Sequence, residues 1–289
     1  MPTIIECQFC GKETYAEISK CPHCGKKPSR NSPPYKENQH GDFNVVACLS
    51  KSINVFIRNF ASFVEVTLIL TAPTLLYQLF LLLASPEMEP ESIMAHDFIV
   101  YFSAIYDGLI LFPITAAIVY AVAKDVVGQP FNLGDCFRET LPMLFVILGA
   151  ALVSMVVTTL GLALLIIPGF IVLCALWLFI PVIVVEKLGV LPSLYRSASL
   201  TEGFRMNIFG LTTIIWLVSQ VSFFVIGSVF VLDFNQAGFE ITTMVAIIIP
   251  YLLAGVLGAF MAVVNAIAYL DIRTAKEDIK VEQIVEGLN

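Results

Sequence analysis

Four cysteines near the N-terminus have the spacing of a metal site. Cys7-x2-Cys10 is followed by Gly11, and Cys21-x2-Cys24 by Gly25. In each CxxCG knuckle a tight turn aims two thiolates at one ion, and the glycine lets the backbone direct amide N–H groups at sulfur. Two knuckles make a closed tetrahedral Cys₄ set, which suits structural Zn²⁺; a Cys₄ iron site is the alternative. So short a stretch cannot build a hydrophobic core, so metal binding, on the order of 10–16 kcal/mol, must supply its folding energy. Disulfides do not suit the reducing cytoplasm in which the charge pattern below places this segment. His23 lies inside a knuckle and reads as exposed rather than as a ligand. Cys48, Cys136 and Cys174 read as small apolar residues.

A second set of chemically able residues lies inside long apolar runs. Glu65 stands about one turn into the first run, Asp107 near the middle third of the second, and Asn265 in the last. A carboxylate in hydrocarbon costs a few kcal/mol by insertion scales, so it faces protein, water or a partner. One reading is a proton or cation site on Glu65 and Asp107, as in a transporter. The other has Glu65 snorkelling to the surface and Asp107 held as a neutral acid between helices, with Asn265 within reach of one of them as a donor. No Lys or Arg lies in any of these runs to neutralise the acids.

The elements that must position these groups follow from composition. Of 289 residues, 58% are hydrophobic and only 13% charged, and the mean hydropathy is +0.86. A soluble domain carries about twice that charged fraction. Six runs approach or exceed the roughly 20 apolar residues that cross a bilayer: Phe60–Ala84, Phe98–Ala123, Leu141–Leu165, Phe170–Val185, Ile208–Leu232 and Ile241–Leu270. Without water to pair the backbone, such runs must be helical. Pro168-Gly169 is expected to turn the chain between the third and fourth, and Pro113 and Pro181 to kink their helices. Ala254, Gly255, Gly258, Ala259 and Ala262 form a small-residue stripe for close helix packing.

Charge placement sets the orientation. Eight Lys and Arg precede the first run, two lie in the second connection, three in the fourth and three in the tail; the other connections have none. The excess of cations on one side puts both termini in the cytoplasm. The net charge of −7 does not point to nucleic acid.

Three amphipathic stretches precede pairs of spans. Phe43-Asn44-x3-Cys48 recurs as Phe131-Asn132-x3-Cys136, and Leu191–Thr201 occupies the same place before the fifth run. Phe43, Val46, Leu49, Ile53 and Phe56 give the first stretch an apolar stripe suited to a membrane surface. Ile272, Ala275, Ile279 and Ile284 predict a short surface helix in the tail. The chain therefore reads as an all-α integral membrane protein of six transmembrane helices in three interfacial-helix-plus-hairpin units. Residues 1–29 form the Cys₄ module, 30–41 a polar Pro-rich linker and 42–289 the membrane domain.

Two resemblances extend this reading. Cys7–Gly25 resembles the short zinc ribbons at the start of many bacterial membrane proteins, which usually offer a docking surface and do no chemistry. Asp42–Arg273 resembles six-helix bacterial inner-membrane proteins of the YciC type and the membrane domain attached to some glycerophosphodiester phosphodiesterases. The residues that carry it are Ile167-Pro168-Gly169, Trp177, Pro181, Glu186, Gly189, Arg196-Ser197, Leu200-Thr201-Glu202-Gly203 and Ala268-Tyr269-Leu270-Asp271-Ile272-Arg273. The resemblance implies a role in envelope integrity or lipid handling, with the bilayer and a protein partner at the ribbon as the expected contacts. No nucleophile–base pair stands out, so no enzymatic activity is expected.

Overall fold

The computed structural model describes residues 4–6, 13–15, 43–84, 93–233 and 239–286. Two short strands, β1 (Ile4–Glu6) and β2 (Glu13–Tyr15), pair antiparallel in the register Ile4↔Tyr15 to Glu6↔Glu13. The four cysteines and the linker lie outside the described residues. From Val45 on, the described chain is helical: α1 (Val45–Arg58), α2 (Phe60–Ala84), α3 (Ile93–Val126), α4 (Leu133–Thr140), α5 (Leu144–Leu164), α6 (Ile166–Leu176), α7 (Phe179–Glu186), α8 (Val190–Thr201), α9 (Arg205–Asp233), α10 (Phe239–Glu277) and α11 (Val281–Glu286).

Among the described residues, six segments are long and apolar enough to cross a membrane: α2, α3, α4 with α5, α6 with α7, α9 and α10. Their outward faces carry large apolar side chains, among them Phe145 at 84% and Phe224 at 77% exposure. Such surfaces suit lipid rather than water. The protein is a multi-pass membrane protein built as expected from six spans.

Helix α10 sits at the centre and packs against α1, α2, α3, α7, α8, α9 and α11. The small-residue stripe explains the closeness. A Cβ at Gly255 would lie 2.7 Å from Leu68 of α2, and Ala259 and Ala262 are buried.

The repeat is structural. Asn44 Oδ1 accepts from the Val46 and Ala47 amides, and Asn132 Oδ1 accepts from the Gly134 amide, so each asparagine caps its helix. Four residues on, Cys48 and Cys136 are buried, and after four more Ser52 and Thr140 return a hydroxyl to the cysteine carbonyl. In the third unit Gly189 stands at the cap, followed at the same intervals by buried Ser193 and Ser197. All three units thus place small side chains where their first helix meets the spans.

Three expectations are corrected. The turn between α5 and α6 is the single extended residue Leu165, not Pro168-Gly169. Pro168 is the third residue of α6, where its missing N–H has no acceptor to lose. Gly169 serves contact instead, since a Cβ there would sit 2.5 Å from the Leu162 side chain. On α1, Val46 and Ile53 are exposed, while Cys48, Ser52, Val55 and Phe56 are buried, as is Phe43 just before the helix. The helix has apolar residues on two faces, one for protein and one for lipid, and periodicity does not tell them apart. In the tail, α10 continues to Glu277; the chain breaks at left-handed Asp278 (φ 53°), and the short α11 buries Ile284.

Candidate functional site

Two features stand out where the spans meet the surface helices: a layer of ion pairs at one end of the bundle, and a broken span beside a cavity.

The ion pairs link α1 and α8 to span ends. Lys51 on α1 donates to Asp271 on α10 at 2.7 Å, and Asp271 is fully buried. Arg58 on α1 pairs with Asp125 at the end of α3. Arg196 on α8 reaches both Glu186 carboxylate oxygens, at 2.9 and 3.1 Å, and also Glu277 on α10. Arg273 completes the circuit. It donates to Glu277 at 2.9 Å and to the Tyr269 hydroxyl at 2.6 Å, and that hydroxyl donates to Glu186 at 3.0 Å. Burial alone would lower the Arg196 pKa, but its hydrogen bonds to Glu186 and Glu277 outweigh it and hold the pKa above the ordinary arginine value. Each guanidinium is thus held by two carboxylates in a partly dry setting, where charge-assisted hydrogen bonds are strongest.

Lys276 fastens the far end of α8 by donating to the Ser199 and Glu202 carbonyls. These carbonyls end the helix, where a cation is favoured. Gly203, with φ 92°, then turns the chain into α9. The motif residues Glu186, Arg196, Tyr269 and Arg273 therefore meet in one network, although roughly 80 residues separate the two stretches.

The fourth span breaks at Trp177 and Leu178, between α6 and α7. Pro181 has no N–H to give to the carbonyl four residues earlier, that of Trp177. Asn265 of α10 supplies the missing donor at 2.9 Å. Ser197 of α8 mends the rest: its Oγ accepts from the Leu178 amide at 3.1 Å and donates to the Ala175 carbonyl at 2.8 Å. Buried Thr201 lies 3.3 Å from the same carbonyl. Pro113, by contrast, lies within an unbroken α3.

Beside this break is a cavity of about 490 Å³ between α3, α5, α6, α7 and α10. Its wall includes Phe112, Trp177, Met261 and Asn265 and contains no charged residue. Leu111, Met155 and Leu173 belong to it and are exposed on the outer surface, so it opens sideways toward lipid. The volume falls in the range of ligand pockets, roughly 300–1,000 Å³. Asn265 is buried, and its Oδ1 accepts no hydrogen bond.

The residues singled out from sequence are placed as follows. Cys7, Cys10, Cys21 and Cys24 lie outside the described residues. The pairing of Glu6 with Glu13 joins the two ends of the stretch that carries Cys7 and Cys10. That closure, with the four-thiolate donor set, fits a zinc knuckle. Among the described residues no group of three or more His, Cys, Asp or Glu is placed to hold a metal. Glu65 is exposed on α2, and of Asp107 only the helical backbone is described. The Asn265 donor goes to Trp177 rather than to an acid. Cys48, Cys136 and Cys174 are free and buried, as expected of small core residues.

Residue patterns alone do not reveal the ion-pair circuit or the role of Asn265. The usable signals are the charges at the ends of the fourth and sixth spans, and a lone amide in the same bundle as an intramembrane proline. No family model, curated protein or solved structure matches this chain.

Proposed function

We propose that the chain is a non-enzymatic protein of the bacterial cytoplasmic membrane that serves envelope integrity or lipid handling. Both termini are cytoplasmic, and a zinc ribbon held by Cys7, Cys10, Cys21 and Cys24 serves as a docking module for a protein partner. The observation that supports this best is the gathering of α1, α8 and the end of α10 into one ion-paired layer. The layer begins at α1, the first helix after the N-terminal segment, and ties it to α3 and α10, which suits a scaffold. The resemblance to YciC-type membrane proteins points the same way. The ribbon is expected to lose its zinc in Cys21→Ser. Deleting residues 1–30 is expected to leave insertion and helix content intact and to remove co-purification of a soluble partner. A deleted chain that aggregates in detergent where the full chain does not would overturn the docking role.

A further inference from the structure

We infer that the cavity beside the broken span binds a neutral membrane lipid with a free hydroxyl group, such as diacylglycerol, whose hydroxyl donates to Asn265 Oδ1. This deepens the lipid-handling reading above and rests on it.

The chemistry of the wall selects the ligand. It carries no charged residue, and its polar side chains besides Asn265 are the neutral hydroxyls of Thr115, Ser154 and Thr158, so a phosphate or ammonium would enter without a counter-charge at a heavy cost. The mouth, between Leu111, Met155 and Leu173, faces the lipid side, so the ligand arrives from within the bilayer. Asn265 stands six residues before Asp271 on the continuous α10. At 1.5 Å rise that is about 9 Å deeper than the ion-pair layer. A charged headgroup stays at the level of the ions, whereas the small hydroxyl of a neutral lipid reaches that depth.

The amide sets the polarity of the contact. Trp177 needs a donor because Pro181 gives none, so the Asn265 N–H side is committed to it. This fixes the carboxamide with its oxygen as the group left over, and a buried acceptor without a donor is costly in an apolar setting. At Asn265 the cavity therefore favours a ligand group that donates over one that only accepts.

The test uses the full-length protein in phosphatidylethanolamine–phosphatidylglycerol vesicles. Two photoactivatable probes are compared: diacylglycerol with a diazirine in one chain, and the same molecule with its hydroxyl methylated. The hydroxyl probe is expected to label cavity peptides about three- to tenfold more strongly, the worth of one net hydrogen bond. Asn265→Leu is expected to remove the preference while chain labelling persists. Gly258→Leu is expected to abolish labelling by both probes. Gly258 lies in the wall, and a Cβ there meets nothing within 4 Å, so the larger side chain has room to enter the cavity. Equal labelling of wild type by the two probes overturns the proposal whether or not either variant folds; so does labelling that survives in folded Gly258→Leu. A protein that inserts, binds zinc and retains its partner yet shows no preference fails this inference alone. One that fails those three assays fails the broader reading.

Discussion

Asn265 on the last span completes a hydrogen bond that Pro181 on the fourth has made impossible. The proline frees the Trp177 carbonyl, and the amide, 84 residues further along, donates to it. A helix defect and its remedy thus sit on different elements.

The pair makes a sharp thermodynamic prediction. Asn265→Ala is expected to destabilise the bundle by about 1–3 kcal/mol, because a buried carbonyl loses its donor. In a Pro181→Ala background, residue 181 regains an N–H for Trp177, and Asn265→Ala is expected to cost much less. A double-mutant cycle on thermal unfolding in detergent measures the coupling. Additive effects would show that the amide does not serve the proline.

Arg196 is expected to tolerate no simple replacement. Arg196→Ala leaves Glu186 and Glu277 to share Arg273 and is expected to cost about 1.5–3 kcal/mol. Arg196→Lys keeps the charge, but a point ammonium does not span both carboxylates, so it is expected to recover only part of the loss. Melting temperatures of the three proteins in one detergent decide this, and full rescue by lysine would contradict the fork geometry.

The same network is expected to be insensitive to mild alkali. The folded Arg196 pKa is raised above the unfolded one, so its contribution is complete below the ordinary arginine pKa and is lost only as pH rises beyond it. Cys48 behaves alike at a lower pH. Burial, reinforced by Asp271, pushes its thiol above the ordinary 9.0, so its contribution is intact below that value and falls at higher pH. Native protein at pH 8 is therefore expected to leave Cys48 unmodified by maleimide, and denatured protein to react fully. Peptide mass spectrometry separates Cys48 from the N-terminal thiols.

Glycines at the hairpin and in open space are expected to differ. Gly169→Ala places a Cβ within 2.6 Å of the Leu162 backbone nitrogen and is expected to cost about 1–3 kcal/mol through overpacking. Gly210→Ala, whose Cβ meets nothing within 4 Å, is expected to be neutral or slightly stabilising. The melting temperatures of the two variants test the contrast.

The spans are legible because long apolar runs in a bilayer have one backbone solution. The caps at Asn44 and Asn132 are visible as a repeat, though the repeat alone does not show that they are caps. What stays hidden depends on distant partners. The faces of α1 cannot be assigned from periodicity because Val46 and Val55 are equally apolar, and only the fold decides which meets protein. The circuit through Glu186, Arg196, Arg273 and Glu277 joins three helices whose adjacency no local pattern encodes. Asn265 stands out as a polar residue in a span, but its partner is a backbone carbonyl, which every residue has.

The one-residue connection at Leu165 bears on how the protein is made. Gly161 to Phe170 contains no charged or hydrogen-bonding side chain, and Leu164, Leu165 and Ile167 are exposed at the tip. Moving a loop across a membrane is costly because of its charged groups. This tip has none, so α5 and α6 can leave the insertion machinery as a single preformed unit. The third and fourth spans are then one event in biogenesis.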